Sequence, residues 1–221
     1  VLNDEIALLS VARSMSVQHR VDFVTEAQIR NGTLTPTQSI IEIRPFLFPF
    51  FTHLCHVLLG YHPENVFLLN FFALWGLLFA AYLFVLPYVT FLWAIIATLL
   101  LLSQPIILLI ATSGGYEVLN LLFVVVSLLN LRWFINSRLP IAFQLLFFNL
   151  LILANIRYES VIFFIVIMFS LWVSGYLKKQ DLFKSKILWW APLICLPWIL
   201  QKFFNLTNNQ QLVTHEYRWL Y

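Results

Sequence analysis

Charged residues are scarce in this sequence: Asp, Glu, Lys and Arg together make up 10% of it. Soluble domains carry roughly 25% charged residues, and a surface so poor in charge would not remain soluble in water. Hydrophobic residues account for 61%, and the mean hydropathy is +0.86. The composition therefore excludes an ordinary soluble domain and predicts an integral membrane protein.

Cysteine is also scarce. Cys55 and Cys195 lie far apart in apolar segments, so neither a disulfide framework nor a cysteine metal site is indicated. The basic residues form no broad patch with interleaved aromatic residues, which argues against a nucleic-acid partner. The N-terminal stretch is too polar for a cleavable signal peptide. The first residue is Val1 rather than Met, so we expect a processed product or a fragment.

A polar block of 44 residues opens the chain and begins with a helix signal. In "NDEIALLSVARSM", Asn3 is the expected N-cap, and Asp4 and Glu5 fall in the first turn, where the helix dipole favours acids. An apolar stripe made of Ile6, Leu9 and Ala12 to Met15 predicts an amphipathic helix on the membrane surface. The later stretch "RNGTLTPTQS" is expected to be a loop.

A second interfacial or re-entrant helix is predicted in "RPFLFPFFTHLCHVLLG", with Pro45 at its first position and Gly60 at its end. It is about one turn short for a membrane span. His53 and His56 lie three residues apart in it. They are candidate metal ligands, but the packing of an amphipathic helix is the favoured interpretation.

An all-α, polytopic transmembrane bundle is predicted for the rest of the chain. Several of its spans are near the lower length limit, so tilting or local thinning of the bilayer is expected. We divide the chain into an outer-face loop at 1–64, a bundle of about six spans at 65–204, and the start of another outer loop at 205–221. The predicted spans are 65–86, 89–111, 117–135, 141–156, 161–177 and 187–204.

The short loops predict the orientation of this bundle. Basic residues flank one loop and fill another, and two predicted spans separate these loops, so both lie on one side. The positive-inside rule makes that side cytoplasmic. The opposite face then carries most of the acids. The basic residues concerned are Arg132, Arg138, Lys178, Lys179, Lys184 and Lys186.

Three outer segments bring ionisable residues to one face, and charges at membrane depth are costly unless they pair or line a wet cavity. Such a cluster suits chemistry on an anionic lipid headgroup, with arginine holding phosphate and a carboxylate acting as general base. Structural roles remain open for each member: Asp4 and Glu5 as first-turn acids, Glu117 as a helix-start acid, Arg157 with Glu159 as an ion pair, and Arg44 as an interfacial anchor.

The order of these features resembles the GT-C glycosyltransferases, in the branch of the protein O-mannosyltransferases and the lipid A aminoarabinose transferases. An acidic pair, here Asp4–Glu5, opens an amphipathic helix with an "AR" step. A basic–proline stretch ending in glycine follows, here "RPFLFPFFTHLCHVLLG". The segments "LLSQPIILLIATSGGYEVLNLLF" and "ANIRYES" match the later motifs. The resemblance covers about residues 3–180.

The resemblance implies a polyprenyl-phosphate sugar donor and inverting transfer to a glycan, lipid or protein acceptor on the outer face of the membrane. Asp4 would be the catalytic base, with Glu5 as the second catalytic acid, and Arg44 would contact the donor phosphate. Glu117 would assist acceptor or metal binding. Arg157, as a second phosphate contact, and Glu159, as a second acceptor or metal residue, match less securely. A divalent metal ion is the single cofactor left open.

The chain also departs from the family pattern. The second proline of the pair is replaced by Phe46, and the family's first span and later helices are not in this sequence, so we expect a fragment. We expect the plasma membrane of a bacterium, because the loops are short. A transporter or flippase of lipid-linked sugars and a non-catalytic membrane subunit are the alternative functions.

Overall fold

The computed structural model describes residues 2–17, 19, 21–30, 33–40 and 45–176. The described part is mostly helical, which confirms the predicted class in its coarse form. The predicted span 187–204, the tail 205–221 and the four lysines of the second basic loop lie outside the described residues. The described part contains, in chain order, α1 (Leu2–Val17), β1 (Phe23–Arg30), β2 (Thr33–Ile40), α2 (Leu47–Leu59), α3 (Asn65–Val85), α4 (Phe91–Leu102), α5 (Pro105–Ala111), α6 (Glu117–Ser137), α7 (Pro140–Ile156), a 3-10 turn (Tyr158–Ser160) and α8 (Val161–Val173).

Two helices, α3 and α6, are long and apolar enough to cross a membrane. The predicted span 89–111 is not one continuous helix, because α4 and α5 form a pair bent by 67°, which is either a broken span or a re-entrant loop. Gln104 precedes Pro105 and has an extended ψ of 122°, as expected for a residue before proline. If the bent pair counts as one span, the described residues contain up to three; α7 and α8 are apolar but shorter.

The stretch predicted as a loop instead contributes to an antiparallel β-hairpin. β1 pairs with β2 from Phe23 opposite Ile40 to Arg30 opposite Thr33. Two residues with the sequence Asn-Gly separate the strands, and this dipeptide is the strongest short-range hairpin signal. The prediction as a loop was therefore wrong, because this turn chemistry was overlooked.

The buried face of α1 differs from the predicted stripe. Ile6 is 55% exposed, and α1 already begins at Leu2, so Asn3 lies within the helix and is not its N-cap. The first half of the helix instead buries Ala7 and Leu8, whereas Ala12 and Met15 of the predicted stripe are buried as expected. The spacing of this face follows the 3.6-residue period of a helix. Its buried hydrophobic residues are Ala7, Leu8, Val11, Ala12 and Met15.

The second predicted helix is present as α2, two residues shorter at its start than expected. Pro45 precedes the helix, and Phe46 takes the N-cap position. Gly60 follows the last turn with a φ of +84°, a value that glycine adopts without strain. α1 is attached to α2 by a hydrogen bond of 2.8 Å between Ser16 Oγ and His53 Nδ1.

The buried side chains form two clusters. One joins α6, α7 and α8, around Leu146, Leu150 and Leu153. The other joins α1, α2, α3, α5, α6 and α7 and contains Leu8 and Phe48. Because the second cluster includes α1, the segment that carries Asp4 and Glu5 is packed against the helical bundle by its apolar side.

Candidate functional site

The candidate site is built around the turn that joins α5 to α6. Ser113 shapes this turn, because its hydroxyl donates to Ile110 O at 2.8 Å and accepts the N–H of Gly115 at 3.3 Å. Gly114 and Gly115 are both buried. The turn lies against α1: a Cβ built on Gly114 would be 3.9 Å from Oε2 of Glu5. The first turns of α1 therefore meet this turn directly.

Glu117 is the first residue of α6, where the positive end of the helix dipole favours an acid. Its carboxylate folds back over Gly115 and occupies the space that a Cβ there would need. Oxygen Oε2 is buried and has no hydrogen-bond partner in the described part of the chain. The sequence-predicted acids Glu5 and Glu117 thus contact adjacent glycines of one turn.

Arg157 and Glu159 lie in the turn between α7 and α8 and form an ion pair. Nε of the arginine donates to Oε2 at 2.9 Å, and Nη2 donates to Oε1 at 3.4 Å. This hydrogen bond lowers the pKa of Glu159 and raises the pKa of Arg157, and the charge of Glu117 adds to the second effect. The side chains are 39% and 42% exposed, and exposed pairs contribute about 0–1 kcal/mol.

Two contacts bring this ion pair beside the turn. The guanidinium carbon of Arg157 lies 5.6 Å from the centroid of the Tyr116 ring. Ser160, which follows the pair, donates from its hydroxyl to Oδ1 of Asn120 at 2.8 Å. Since Asn120 lies one turn into α6, this bond fixes the start of α8 beside Glu117.

Tyr116 is the residue that connects the turn to α2. Its ring packs edge-on against the ring of Phe48, with the centroids 6.3 Å apart. Phe48 is 1% exposed and belongs to the same buried cluster as Leu8 of α1. The side chains of α1, α2 and the turn are therefore mutually packed. This packing fixes the interfacial helices beside the charged residues.

His53 and His56 have hydrogen-bond partners other than a metal ion. His53 bonds to Ser16, and Nδ1 of His56 lies 3.0 Å from Nδ2 of Asn65, which can only donate. Burial lowers the pKa of His56, and the charges of His53 and His62 lower it further. Within the described ranges, no three His, Cys, Asp or Glu side chains are grouped so as to hold a metal ion.

The other end of α6 carries arginines. Arg132 donates from Nη1 to Phe84 O at 3.3 Å, and its Cζ lies 4.7 Å from the centroid of the Tyr88 ring. Cζ of Arg138 lies 3.6 Å from the centroid of the Tyr176 ring. At 1.5 Å per residue, Arg132 lies roughly 22 Å and Arg138 roughly 30 Å along the helix axis from Glu117. The sequence correctly predicted that they lie away from the acids.

The structure brings together four of the six predicted site residues: Glu5, Glu117, Arg157 and Glu159. Asp4 belongs to α1, but its side chain is not among those described. Arg44 lies outside the described residues.

Sequence reasoning missed Asn70, whose side-chain amide donates to the backbone of the turn. A signal for it exists, because Asn70 interrupts the apolar run "NVFLLNFFALW". The pair Gly114–Gly115 was interpreted only as part of the break between the predicted spans 89–111 and 117–135.

Comparisons of the chain with family models, curated proteins and solved structures find no match.

Proposed function

We propose that the chain belongs to a membrane glycosyltransferase that moves a sugar from a polyprenyl-phosphate donor to an acceptor on the non-cytoplasmic face of the membrane. One observation carries the proposal: α1, which bears Asp4 and Glu5, packs onto the same end of the bundle as Glu117, Arg157 and Glu159. The order of sequence motifs supports it independently. The bacterial plasma membrane is the proposed location.

In the proposed reaction, Asp4 removes the proton of an acceptor hydroxyl. The resulting oxygen attacks the anomeric carbon of the sugar from the face opposite the leaving group. The bond from that carbon to the phosphate oxygen breaks, and polyprenyl phosphate leaves with the electron pair. General-base assistance of this kind contributes about 10²–10⁴-fold to the rate.

Arg157 is suited to hold the donor phosphate. Guanidinium groups bind phosphate by paired hydrogen bonds, and such bonds are stronger than neutral ones. In the structure this group is already half exposed and is engaged by the weak pair with Glu159. The phosphate of the donor, a diester with one negative charge, can therefore replace that carboxylate at little cost. Arg44 is proposed as the second phosphate contact.

Glu117 is suited to orient the acceptor. Its buried Oε2 lacks a donor from any described residue, and a buried acceptor without a partner costs about 1–3 kcal/mol. An acceptor hydroxyl would supply that donor and recover this energy. The proposed assistance of Glu117 to a divalent metal remains an alternative use of the same oxygen.

The test is a transfer assay. The protein, expressed from its native reading frame and purified in detergent, is given a panel of radiolabelled polyprenyl-phosphate sugars. We expect release of polyprenyl phosphate, and a loss of about 10²–10⁴-fold in Asp4→Asn. Glu64→Gln, an acid-to-amide change just before α3, is the matched control and should retain activity. Equal activity in Asp4→Asn and wild type would refute the assigned base.

A transporter or flippase of lipid-linked sugars is the second candidate. The broken helix pair α4–α5 favours it, because discontinuous helices near the bilayer midplane are a feature of transporters. The same assay separates the two functions. Tight donor binding without turnover, together with movement of the donor across vesicle membranes, would select the transporter.

A further inference from the structure

Asn70 is a polar residue enclosed in the apolar interior of the bundle. It is 0% exposed and lies in α3, one of the two helices long enough to span a membrane. Its Nδ2 donates to Ser113 O at 2.7 Å and to Gly115 O at 2.9 Å. Hydrogen bonds of this kind between membrane helices contribute about 0.6–2 kcal/mol each. A single side chain thus ties α3 to a turn more than forty residues later.

The two carbonyls that Asn70 binds lie on either side of Gly114. Glycine has the greatest backbone freedom of any residue, so a buried Gly-Gly turn needs external contacts to hold one conformation. The side chain of Ser113 supplies one such contact inside the turn. Asn70 supplies the contact from the neighbouring helix and fixes both carbonyls at once.

The position of Gly115 in turn determines where the carboxylate of Glu117 can lie. That carboxylate rests over Gly115, in the space left by the missing side chain. We propose that Asn70 is a positioning residue, which holds the Ser113–Gly115 turn so that Oε2 of the Glu117 carboxylate stays buried over Gly115 and beside α1. The consequence for sugar transfer rests on the proposed function, whereas the hold on the carboxylate does not.

The unpartnered atoms at this turn argue against a purely structural role. Oδ1 of Asn70 and Oε2 of Glu117 are both buried, and neither has a partner in the described part of the chain. Buried polar atoms in folded proteins are nearly always paired. The turn therefore holds a carboxylate oxygen without a partner among the described residues, in one fixed place.

Carboxyl footprinting tests this directly. The purified full chain is treated with a water-soluble carbodiimide and glycine ethyl ester, and the labelling of each carboxylate is measured by mass spectrometry. Glu159, which is 42% exposed and lies in the turn between α7 and α8, serves as the internal reference. In the wild type, we expect Glu117 to react more slowly than Glu159.

The decisive variant is Asn70→Ala. Loss of two hydrogen bonds should raise the Glu117-to-Glu159 labelling ratio about tenfold or more. Asn155→Ala is the matched control, because Nδ2 of Asn155 donates only within α7, to Leu151 O at 2.9 Å. The control should keep the wild-type ratio. An unchanged ratio in folded Asn70→Ala would overturn the proposal.

Two further variants protect the test against misfolding. Asn70→Leu keeps nearly the same volume but has no donor, so it should raise the ratio as the alanine variant does. Gly115→Ala adds the Cβ that the carboxylate now displaces, and it should raise the ratio without touching Asn70. If the wild-type ratio already equals that of an exposed acid, or if Gly115→Ala leaves it unchanged, the proposed geometry is wrong.

Kinetics then connect the position to the reaction. Asn70→Ala should lower kcat at least about tenfold and leave the donor KM within about twofold, as expected when a group acts mainly in the transition state. The double variant with Glu117→Gln should be no slower than Glu117→Gln alone, because Asn70 acts through that carboxylate. An additive loss would overturn the positioning role. A wild-type protein without transferase activity would instead refute the proposed function, while the footprint still decides the role of Asn70.

Discussion

Replacing Leu8 with alanine should release α1 from the bundle without unfolding the rest. Leu8 is 2% exposed and packs in the cluster that contains Phe48 and Ile156. A buried Leu→Ala change costs about 2–5 kcal/mol, from lost transfer energy and the cavity left behind. The lower half of that range applies, because the neighbouring Leu9 is only partly buried and can move into the space.

A loss of about 2–3.5 kcal/mol corresponds to a rise of roughly 30- to 300-fold in the population of the detached helix, at 1.4 kcal/mol per tenfold. Amide hydrogen exchange measured over α1 in detergent reports this population. Exchange in α3 and α6 should not change. Ile6→Ala is the matched control on the same helix, since Ile6 is 55% exposed; its effect should stay within about 0.5 kcal/mol. Equal acceleration in the two variants, or none in Leu8→Ala, would refute the assigned packing face.

Three other changes test the charges and the close helix contacts. Glu159→Gln should lower the unfolding temperature only slightly, because the pair with Arg157 is exposed. This pair lowers the pKa of Glu159, so the difference in unfolding temperature between wild type and variant should be present above the ordinary value of 4.5 and vanish at more acidic pH. Thermal melts at several pH values measure this difference. Burial lowers the pKa of His56, so protonation opposes folding, and the melting temperature should fall from pH 7 to pH 5 in the wild type but less in His56→Gln. Gly76→Ile should destabilise the protein by about 1–3 kcal/mol in denaturant titration, because even a Cβ there would lie 3.2 Å from Cδ2 of Leu122, whereas Gly76→Ala should be tolerated far better.

Helix positions in the apolar part of the chain were predicted well, because apolar length and flanking polar residues suffice to define them. α3 was expected at 65–86 and lies at Asn65–Val85, and α6 was expected at 117–135 and lies at Glu117–Ser137. The bend in the span 89–111 was missed although Pro105 signals it. Hydropathy averaged over a long window cannot register two residues that change the direction of the chain.

The candidate site was predicted in part. Charged residues were visible in the sequence. A single predicted span lies between Glu117 and Arg138, and this was enough to place the two residues at opposite ends of the bundle. The contact of Glu5 with Gly114 was not visible, because it depends on which side of the first turns of α1 is buried, and there the predicted stripe included Ile6 in place of Ala7 and Leu8. Asn70 was missed for a similar reason: its partners are backbone carbonyls, which leave no mark in a sequence.

The two acids of the site differ in how they are held, and this difference indicates which one a ligand would affect more. Glu159 is exposed and already paired, so removing its partner changes the energy by at most about 1 kcal/mol. Glu117 has a buried oxygen without a described partner, and such an atom gains about 1–3 kcal/mol when a donor arrives. A donor group that enters this end of the bundle should therefore order the Glu117 turn and leave the Arg157–Glu159 turn free to bind or release an anion. The division of roles follows from burial alone, since both carboxylates are otherwise the same chemical group.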